Sequence, residues 1–156
     1  MIDVEQRIKA LGIELFPVTR FDGGMVPVKK EGHLVYTSGV GPFDHKGGLV
    51  WVGKVGEELS LEEGYQAARQ CDIVVLGALK NFLGDLNKIE SIVKVNGFVA
   101  SGEGFYQQPQ VMHGFSDLMV EIFGERGRHA RSAIGVYALP GNIPVEVEMI
   151  VSLKGD

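Results

Sequence analysis

The amino-acid sequence predicts an α+β domain in which two helices pack on one face of a mixed sheet. Two segments, beginning at Ser60 and Pro109, carry apolar residues at helical spacing. Residues 25–52, 89–100 and 131–153 are instead rich in β-branched and aromatic residues. A short helix precedes them, so the predicted order is helix, two or three strands, helix, strand, helix and two strands, with hairpins at both ends. The length of 156 residues predicts a single domain, 1–156, in which residues 1–24 form an N-terminal helix and extension.

The N-terminal segment has the form of a capping box. Asp3 is the acceptor and Gln6 follows three residues later, with Ile8 and Leu11 on one face and Gly12 as a stop. From Met25 to Val52 the composition changes, and the segments VPVKKEGHLVYTSG and GGLVWV are rich in β-branched and aromatic residues. Gly-containing turns at 31–32 and 44–48 interrupt them. This region predicts two or three antiparallel strands.

The central segments give a helix, a strand and a second helix. Ser60 and Glu63 form another capping box, and the helix behind it ends at Gly84. Its predicted inward residues are Leu61, Tyr65, Ala68, Cys71, Val75, Leu79 and Phe82. A strand follows at Ile89 to Ala100, and a second amphipathic helix runs from Pro109 to Phe123 and ends at Gly124. The inward residues of this second helix are Met112, Phe115, Met119, Ile122 and Phe123.

Two strands close the chain, near 131–138 and 145–153, separated by a Leu-Pro-Gly-Asn turn that is expected to fold them side by side. Alternation in the last strand sends Val145, Val147, Met149 and Val151 to one face, and Glu146, Glu148 and Ile150 to the other. The other strands carry apolar residues on both faces. Because helices cover only one face, the sheet is expected to need a second partner, most simply another copy of the chain.

Composition excludes several classes of function. The net charge of −5 argues against a general binder of nucleic-acid backbones, and no apolar run approaches the roughly 20 residues of a membrane span. The chain is therefore expected to be cytoplasmic and unprocessed. The single cysteine, Cys71, is expected to be a buried small side chain, and the four histidines lack metal-site spacing. A metal site is therefore not expected.

The first candidate site residue is Arg131, which lies at the start of a predicted apolar strand. It is either a solvated strand-end charge or a guanidinium held to grip a carboxylate. Glu146 is either its salt-bridge partner or a general base for a bound water. Ser38 and the neighbouring amides end a strand where a ligand could approach, although a plain turn is favoured. For His113, packing is favoured over a site-facing donor.

Two arginines near Arg131 are interpreted as surface residues and not as ligand-binding residues. Arg126 and Arg128 follow the Gly124 stop and are expected to belong to a solvated loop.

Several motifs resemble the YjgF/Rid family of small proteins, also called endoribonuclease L-PSP or reactive intermediate deaminases. They are SGVGP at 38–42, EEGYQAAR at 62–69, VKVNGFVAS at 93–101, GRHARSA at 127–133 and LPGNIPVEVE at 139–148. The resemblance implies a chorismate-mutase-like fold, a homotrimer, and a cleft between each pair of subunits. It covers nearly the whole chain from about residue 25, and it implies neither a metal nor an organic cofactor.

The resemblance also implies a function. Arg131 would bind the carboxylate of a small imine or enamine acid, and Glu146 would orient the water that releases ammonia and a 2-keto acid. Ser38 and Gly39 would line the same cleft, with His113 and Ala133 where the family has asparagine and cysteine. Met25 stands in place of a family tyrosine. The alternatives are a binding protein for 2-keto acids or related metabolites, and an endoribonuclease using Arg126, Arg128 and His129.

Overall fold

A five-stranded mixed sheet organises the molecule. The computed structural model describes residues 1–19 and 22–155, so that residues 20 and 21 of the predicted N-terminal extension lie outside it. The strands are β1 (Val28–Glu31), β2 (Leu34–Thr37), β3 (Ile89–Ala100), β4 (Ala130–Val136) and β5 (Val145–Leu153). They lie in the order β1-β2-β5-β3-β4, where only the β3–β4 pair is parallel. The helices are α1 (Val4–Ala10), α2 (Leu61–Leu83) and α3 (Gln108–Phe123).

The helix boundaries follow from the predicted caps. At the start of α2, the Glu63 amide donates to Ser60 Oγ at 3.1 Å, and the Ser60 amide donates to Glu63 Oε2 at 2.9 Å. This reciprocal pair confirms the predicted capping box. At α1, the Gln6 amide donates to Asp3 Oδ1 at 3.1 Å. Both caps satisfy amide donors that the first helical turn leaves without intrahelical partners.

The core lies between the helices and one face of the sheet. The five predicted inward residues of α3 are all buried, as are Val145, Val147, Met149 and Val151 of β5. Cys71 is also fully buried, as expected. Phe82 is an exception, since it lies at the solvent side of α2 with 48% of its surface exposed. The two helices approach closely because Gly114 has no side chain, and a Cβ atom there would collide with the carbonyl oxygen of Tyr65.

Two sequence expectations about strands are wrong in part. The GGLVWV segment forms no strand, and only an isolated bridge joins Phe43 to Leu49 there, so the N-terminal region contributes two strands. The last two strands are not a hairpin, because β3 lies between β4 and β5. The reason is that α3 carries the chain over the sheet between β3 and β4, and such a crossover permits parallel pairing.

The second face of the sheet carries no helix among the described residues. Apolar side chains on it remain more than one-third exposed, including Leu34, Tyr36 and Ile134. The expectation of apolar residues on both faces is therefore confirmed. Across the described residues, no helix combines the length and the apolar character that crossing a membrane requires.

Candidate functional site

Arg131 lies on the helix-covered face of the edge strand β4. In the sheet register it is opposite Val95 of β3, which is opposite Met149 of β5. Laterally paired residues point to the same face, and Val95 and Met149 are both buried beneath the helices. The Arg131 side chain therefore extends from the sheet edge towards α3.

Three acceptors hold the guanidinium group of Arg131. Its Nη1 donates to Ser116 Oγ at 3.0 Å and to His113 Nδ1 at 3.2 Å, and its Nη2 donates to the carbonyl oxygen of Pro109 at 3.4 Å. The ion pairs within the described residues are Lys80–Glu5 and Arg128–Glu125, so no carboxylate among them pairs with Arg131. Partial burial lowers the pKa of Arg131, an effect that Asp117 opposes at longer range. An arginine nevertheless stays charged at neutral pH, so none of the hydrogen-bond acceptors around this positive charge is a carboxylate.

A second pair of residues continues this network. His129 Nε2 lies 2.8 Å from Ser116 Oγ, and His129 Nδ1 lies 2.7 Å from the carbonyl oxygen of Gly127. Burial lowers the pKa of His129, the hydrogen bond to the Gly127 carbonyl partly opposes this, and the positive charge of Arg131 adds to the lowering. The imidazole is thus favoured in its neutral form.

These side chains open onto a cavity of about 370 Å³ at the outer edge of the sheet. It is lined by His113, Ser116, Val120, Arg128, His129 and Arg131. Because basic and neutral polar groups line it and no carboxylate does, the cavity favours an anion. A second cavity, beside Phe16 and Phe43, includes Gly39 and shares no lining residue with the Arg131 cavity.

Glu146 lies on the opposite face of the sheet. It is opposite Phe98 in the register and is separated from Met149 by an odd number of residues, so its side chain points to the face without helices. Its carboxyl is half-buried, and burial raises its pKa, with a further rise from Glu148. A carboxyl group with a raised pKa can act as a base closer to neutral pH.

Ser38 and Gly39 accompany Glu146. A Cβ atom at Gly39 would lie 3.0 Å from Glu146 Cδ, so the absence of a side chain there makes room for the carboxyl group. Ser38 Oγ donates to the carbonyl oxygen of Val26 at 2.6 Å, which leaves its oxygen as an acceptor. The structure thus brings Gly39 and Glu146 together, and Ser38 precedes Gly39 with its hydroxyl bonded to Val26.

The structure corrects the predicted pairing of Arg131 with Glu146. Within one chain the two side chains point to opposite faces of the sheet. The register aligns Arg131 with Met149 through Val95 of β3, and Glu146 lies an odd number of residues from Met149 along β5, so its side chain points to the other face. Glu146 is therefore not the salt-bridge partner of Arg131 in the same chain. His113 is exposed, so the expectation of packing was wrong. Its Nδ1 accepts from Arg131, and a role at a ligand stays a prediction.

Ala133 and Met25 stay outside both groups. Ala133 packs partly buried against the hydrophobic core and does not line the Arg131 cavity, so its role at a ligand stays a prediction. Met25 is exposed.

The two neighbouring arginines differ from each other. Arg128 is exposed and pairs with Glu125 at 3.0 Å, as expected of a surface loop. Arg126 was expected on that surface as well, but its guanidinium donates to the carbonyl oxygens of Ile89 at 2.9 Å and Ile2 at 3.3 Å. Arg126 therefore ties the chain after α3 to the start of β3 and to the N-terminus. Within the described residues, no group of three or more His, Cys, Asp or Glu side chains could hold a metal ion.

Sequence reasoning missed Ser116 and the structural role of His129. Two signals could have found them. Ser116 follows His113 by three residues, which places both on one face of a helix. His129 precedes Arg131 by two residues, which places both on one face of an extended strand.

This combination defines a class of protein: a small α+β domain with helices on one sheet face and, at the sheet edge, a polar cavity lined by arginine, histidine and serine side chains. The chain belongs to the family described as "YjgF/chorismate mutase-like, putative endoribonuclease", whose model matches residues 5–153. Family membership and the motif resemblance agree.

Individual relatives support the assignment. The chain is 38% identical over 152 residues to Protein TCP17 of Trypanosoma cruzi, covering 97% of this chain and 94% of that protein. It is similar to the crystal structure of Atu1372, a protein of unknown function from Agrobacterium tumefaciens, with 38% identity, a TM-score of 0.87, and 96% and 91% of the two chains covered. A structure from Shewanella oneidensis described as a putative endoribonuclease has 32% identity, a TM-score of 0.92, and 97% and 99% coverage.

Proposed function

We propose that this protein hydrolyses small reactive 2-imino or enamine acids to 2-keto acids and ammonia. The observation that carries the proposal is the set of hydrogen-bond partners around the Arg131 guanidinium. Its guanidinium is oriented by Ser116 and His113 and has no carboxylate partner among the described residues. A guanidinium binds a carboxylate through two parallel hydrogen bonds, so a small carboxylic acid is a natural ligand of this pocket.

Catalysis also needs a group that activates water, and Glu146 is the candidate. Because it points away from Arg131 in the same chain, the two would meet only across subunits. A homotrimer with clefts between subunits supplies that arrangement. The exposed apolar side chains Leu34, Tyr36 and Ile134 on the face that carries Glu146 support such an assembly, because burying them would be favourable.

The proposed reaction is a hydrolysis. With the substrate carboxylate on Arg131, an enamine first takes a proton at its terminal carbon and loses one from its nitrogen to become the imine. Water then adds to the imine carbon, the electron pair of the carbon–nitrogen double bond moves to nitrogen, and the Glu146 carboxylate accepts a proton from the water. Glu146 returns this proton to the nitrogen of the carbinolamine. The hydroxyl proton then also passes to nitrogen as the carbon–nitrogen bond breaks, which releases ammonia and leaves the 2-keto acid. Gly39 lies beside Glu146, and Ser38 and Gly39 would border the reacting carbon.

The proposal is tested by ammonia release from imino acids generated in place by an amino-acid oxidase. The wild-type protein should accelerate release, and Arg131→Ala should return it to the uncatalysed rate. Arg7→Ala, which removes an exposed arginine of α1, is the matched control and should behave like wild type. A panel of imino acids showing no acceleration with wild-type protein would refute the proposal.

The alternative is binding without turnover, as a protein that binds a 2-keto acid or a related metabolite. The separation of Arg131 from Glu146 within one chain favours this alternative if no inter-subunit cleft forms. It predicts that a 2-keto acid raises the melting temperature of wild-type protein but not of Arg131→Ala, while the imine assay shows no acceleration. The family description also contains the word endoribonuclease. Such an activity would have to proceed without Arg126, because its guanidinium donates to backbone carbonyls.

A further inference from the structure

Ser116 and His129 form a hydrogen-bonded chain behind Arg131 whose direction is fixed at both ends. A guanidinium group can only donate, so Ser116 Oγ accepts from Arg131 Nη1 across 3.0 Å. A carbonyl oxygen can only accept, so His129 Nδ1 donates to Gly127 across 2.7 Å. In the neutral imidazole the other nitrogen, Nε2, then has no proton and accepts from the Ser116 hydroxyl across 2.8 Å.

The consequence is that the Ser116 hydroxyl has a single orientation. Its proton is committed to His129, so its lone pairs face the guanidinium of Arg131. If His129 were protonated, Nε2 would carry a proton, and Ser116 would lose its acceptor next to a second positive charge. The half-buried position of His129 and its edge-on contact with Phe115, with ring centroids 6.4 Å apart, hold the ring in place.

We propose that Ser116 and His129 are positioning residues that fix the guanidinium of Arg131 in the orientation required by an anionic ligand. The inference rests on the proposed anion-binding role of Arg131. The Ser116–His129 pair does not contact the reacting carbon in this proposal. It acts through Arg131, whose long side chain would otherwise lose several rotatable bonds of freedom when the ligand binds.

The chain offers a matched set of variants. Ser116→Ala removes the acceptor, whereas Ser116→Thr keeps a hydroxyl. His129→Leu removes the acceptor for the Ser116 proton, whereas His129→Gln can supply an amide oxygen near the position of Nε2. Ser91→Ala is the control, because it removes one side-chain hydrogen bond, to Ser152 at 2.9 Å, at the far end of β3.

Two measurements separate this inference from the proposed function. The first is side-chain nitrogen NMR of Arg131 in the protein without ligand, which reports rotation of its guanidinium. Rotation should be slow in wild type, Ser116→Thr, His129→Gln and Ser91→Ala, and at least about 10-fold faster in Ser116→Ala and His129→Leu. The second is calorimetric titration with 2-ketobutyrate. The dissociation constants of the same two variants should be at least about 10-fold higher than that of wild type, which is the ratio expected for the loss of one hydrogen bond to a charged group.

Each outcome has a definite meaning. Unchanged guanidinium rotation in Ser116→Ala and His129→Leu would overturn the positioning role, whatever the titration gives. Normal 2-ketobutyrate binding by Arg131→Ala would overturn the proposed ligand role of Arg131 instead, and the rotation rates would still decide whether Ser116 and His129 hold it. Melting curves of every variant identify any loss of folding, and the Thr and Gln variants keep the test valid if Ala or Leu is not tolerated.

Discussion

Replacing Asp72 by asparagine should make the protein more stable at neutral pH. Asp72 lies on α2 with no solvent exposure, and neither of its carboxyl oxygens has a hydrogen-bond partner among the described residues. Burial therefore raises the pKa of Asp72 well above its ordinary value, an effect that Arg69 only partly offsets. The folded protein keeps this carboxyl protonated where the unfolded chain has already lost the proton.

The sign and size of the effect follow from proton linkage. Above the ordinary carboxyl pKa of about 4, the folded state binds more protons than the unfolded state, so stability falls as pH rises. One such group lowers the free energy of unfolding by up to about 1.4 kcal/mol per pH unit until its folded pKa is reached. Asparagine has nearly the same shape and no titration, so Asp72→Asn removes this loss.

The assay is urea unfolding of wild type and Asp72→Asn at pH 4, 5, 6 and 7, at one fixed protein concentration. The stability difference should be small at pH 4 and should grow with pH in favour of the variant. Asp22→Asn, at an exposed position, is the matched control and should show no such growth. A difference that stays constant from pH 4 to pH 7 would refute the assignment of a protonated Asp72.

Three further predictions concern packing, capping and chemistry. Gly114→Ala should lower stability by about 1–3 kcal/mol in urea unfolding, because the new methyl group collides with the Tyr65 carbonyl between α2 and α3. Ser60→Ala should cost about 1 kcal/mol in the same assay, since it removes the cap of α2. If Glu146 is the base, the rate of imine hydrolysis should fall as pH drops through its pKa, which burial and Glu148 raise. Glu146→Gln should abolish the enzymatic rate.

Each of these has a clear contrary result. A Gly114→Ala protein as stable as wild type would mean that the two helices can separate without loss. An unchanged unfolding midpoint in Ser60→Ala would mean that Glu63 alone supports the start of the helix. An enzymatic rate in Glu146→Gln equal to that of wild type would exclude Glu146 as the base and leave Arg131 as a binding group only.

The local elements could be predicted because their signals are local. Ser60 and Glu63 lie within one turn of each other, and their reciprocal hydrogen bonds need no distant partner. The strand Ile89–Ala100 and the inward residues of α3 were likewise evident from composition and spacing. GGLVWV was misleading because β propensity is realised only where a neighbouring strand is available, and here only one bridge forms.

The sequence by itself determined the α+β class, the two long helices and the buried Cys71, and it predicted Arg131 and Glu146 as site residues. Only the tertiary structure decided where those two residues point. Strand pairing is set by how the chain crosses the sheet, and the α3 crossover makes β4 the edge strand beside β3. Arg131 therefore faces α3 while Glu146 faces away from the helices, because cross-strand register fixes the face of each side chain whereas sequence spacing fixes only alternation within one strand.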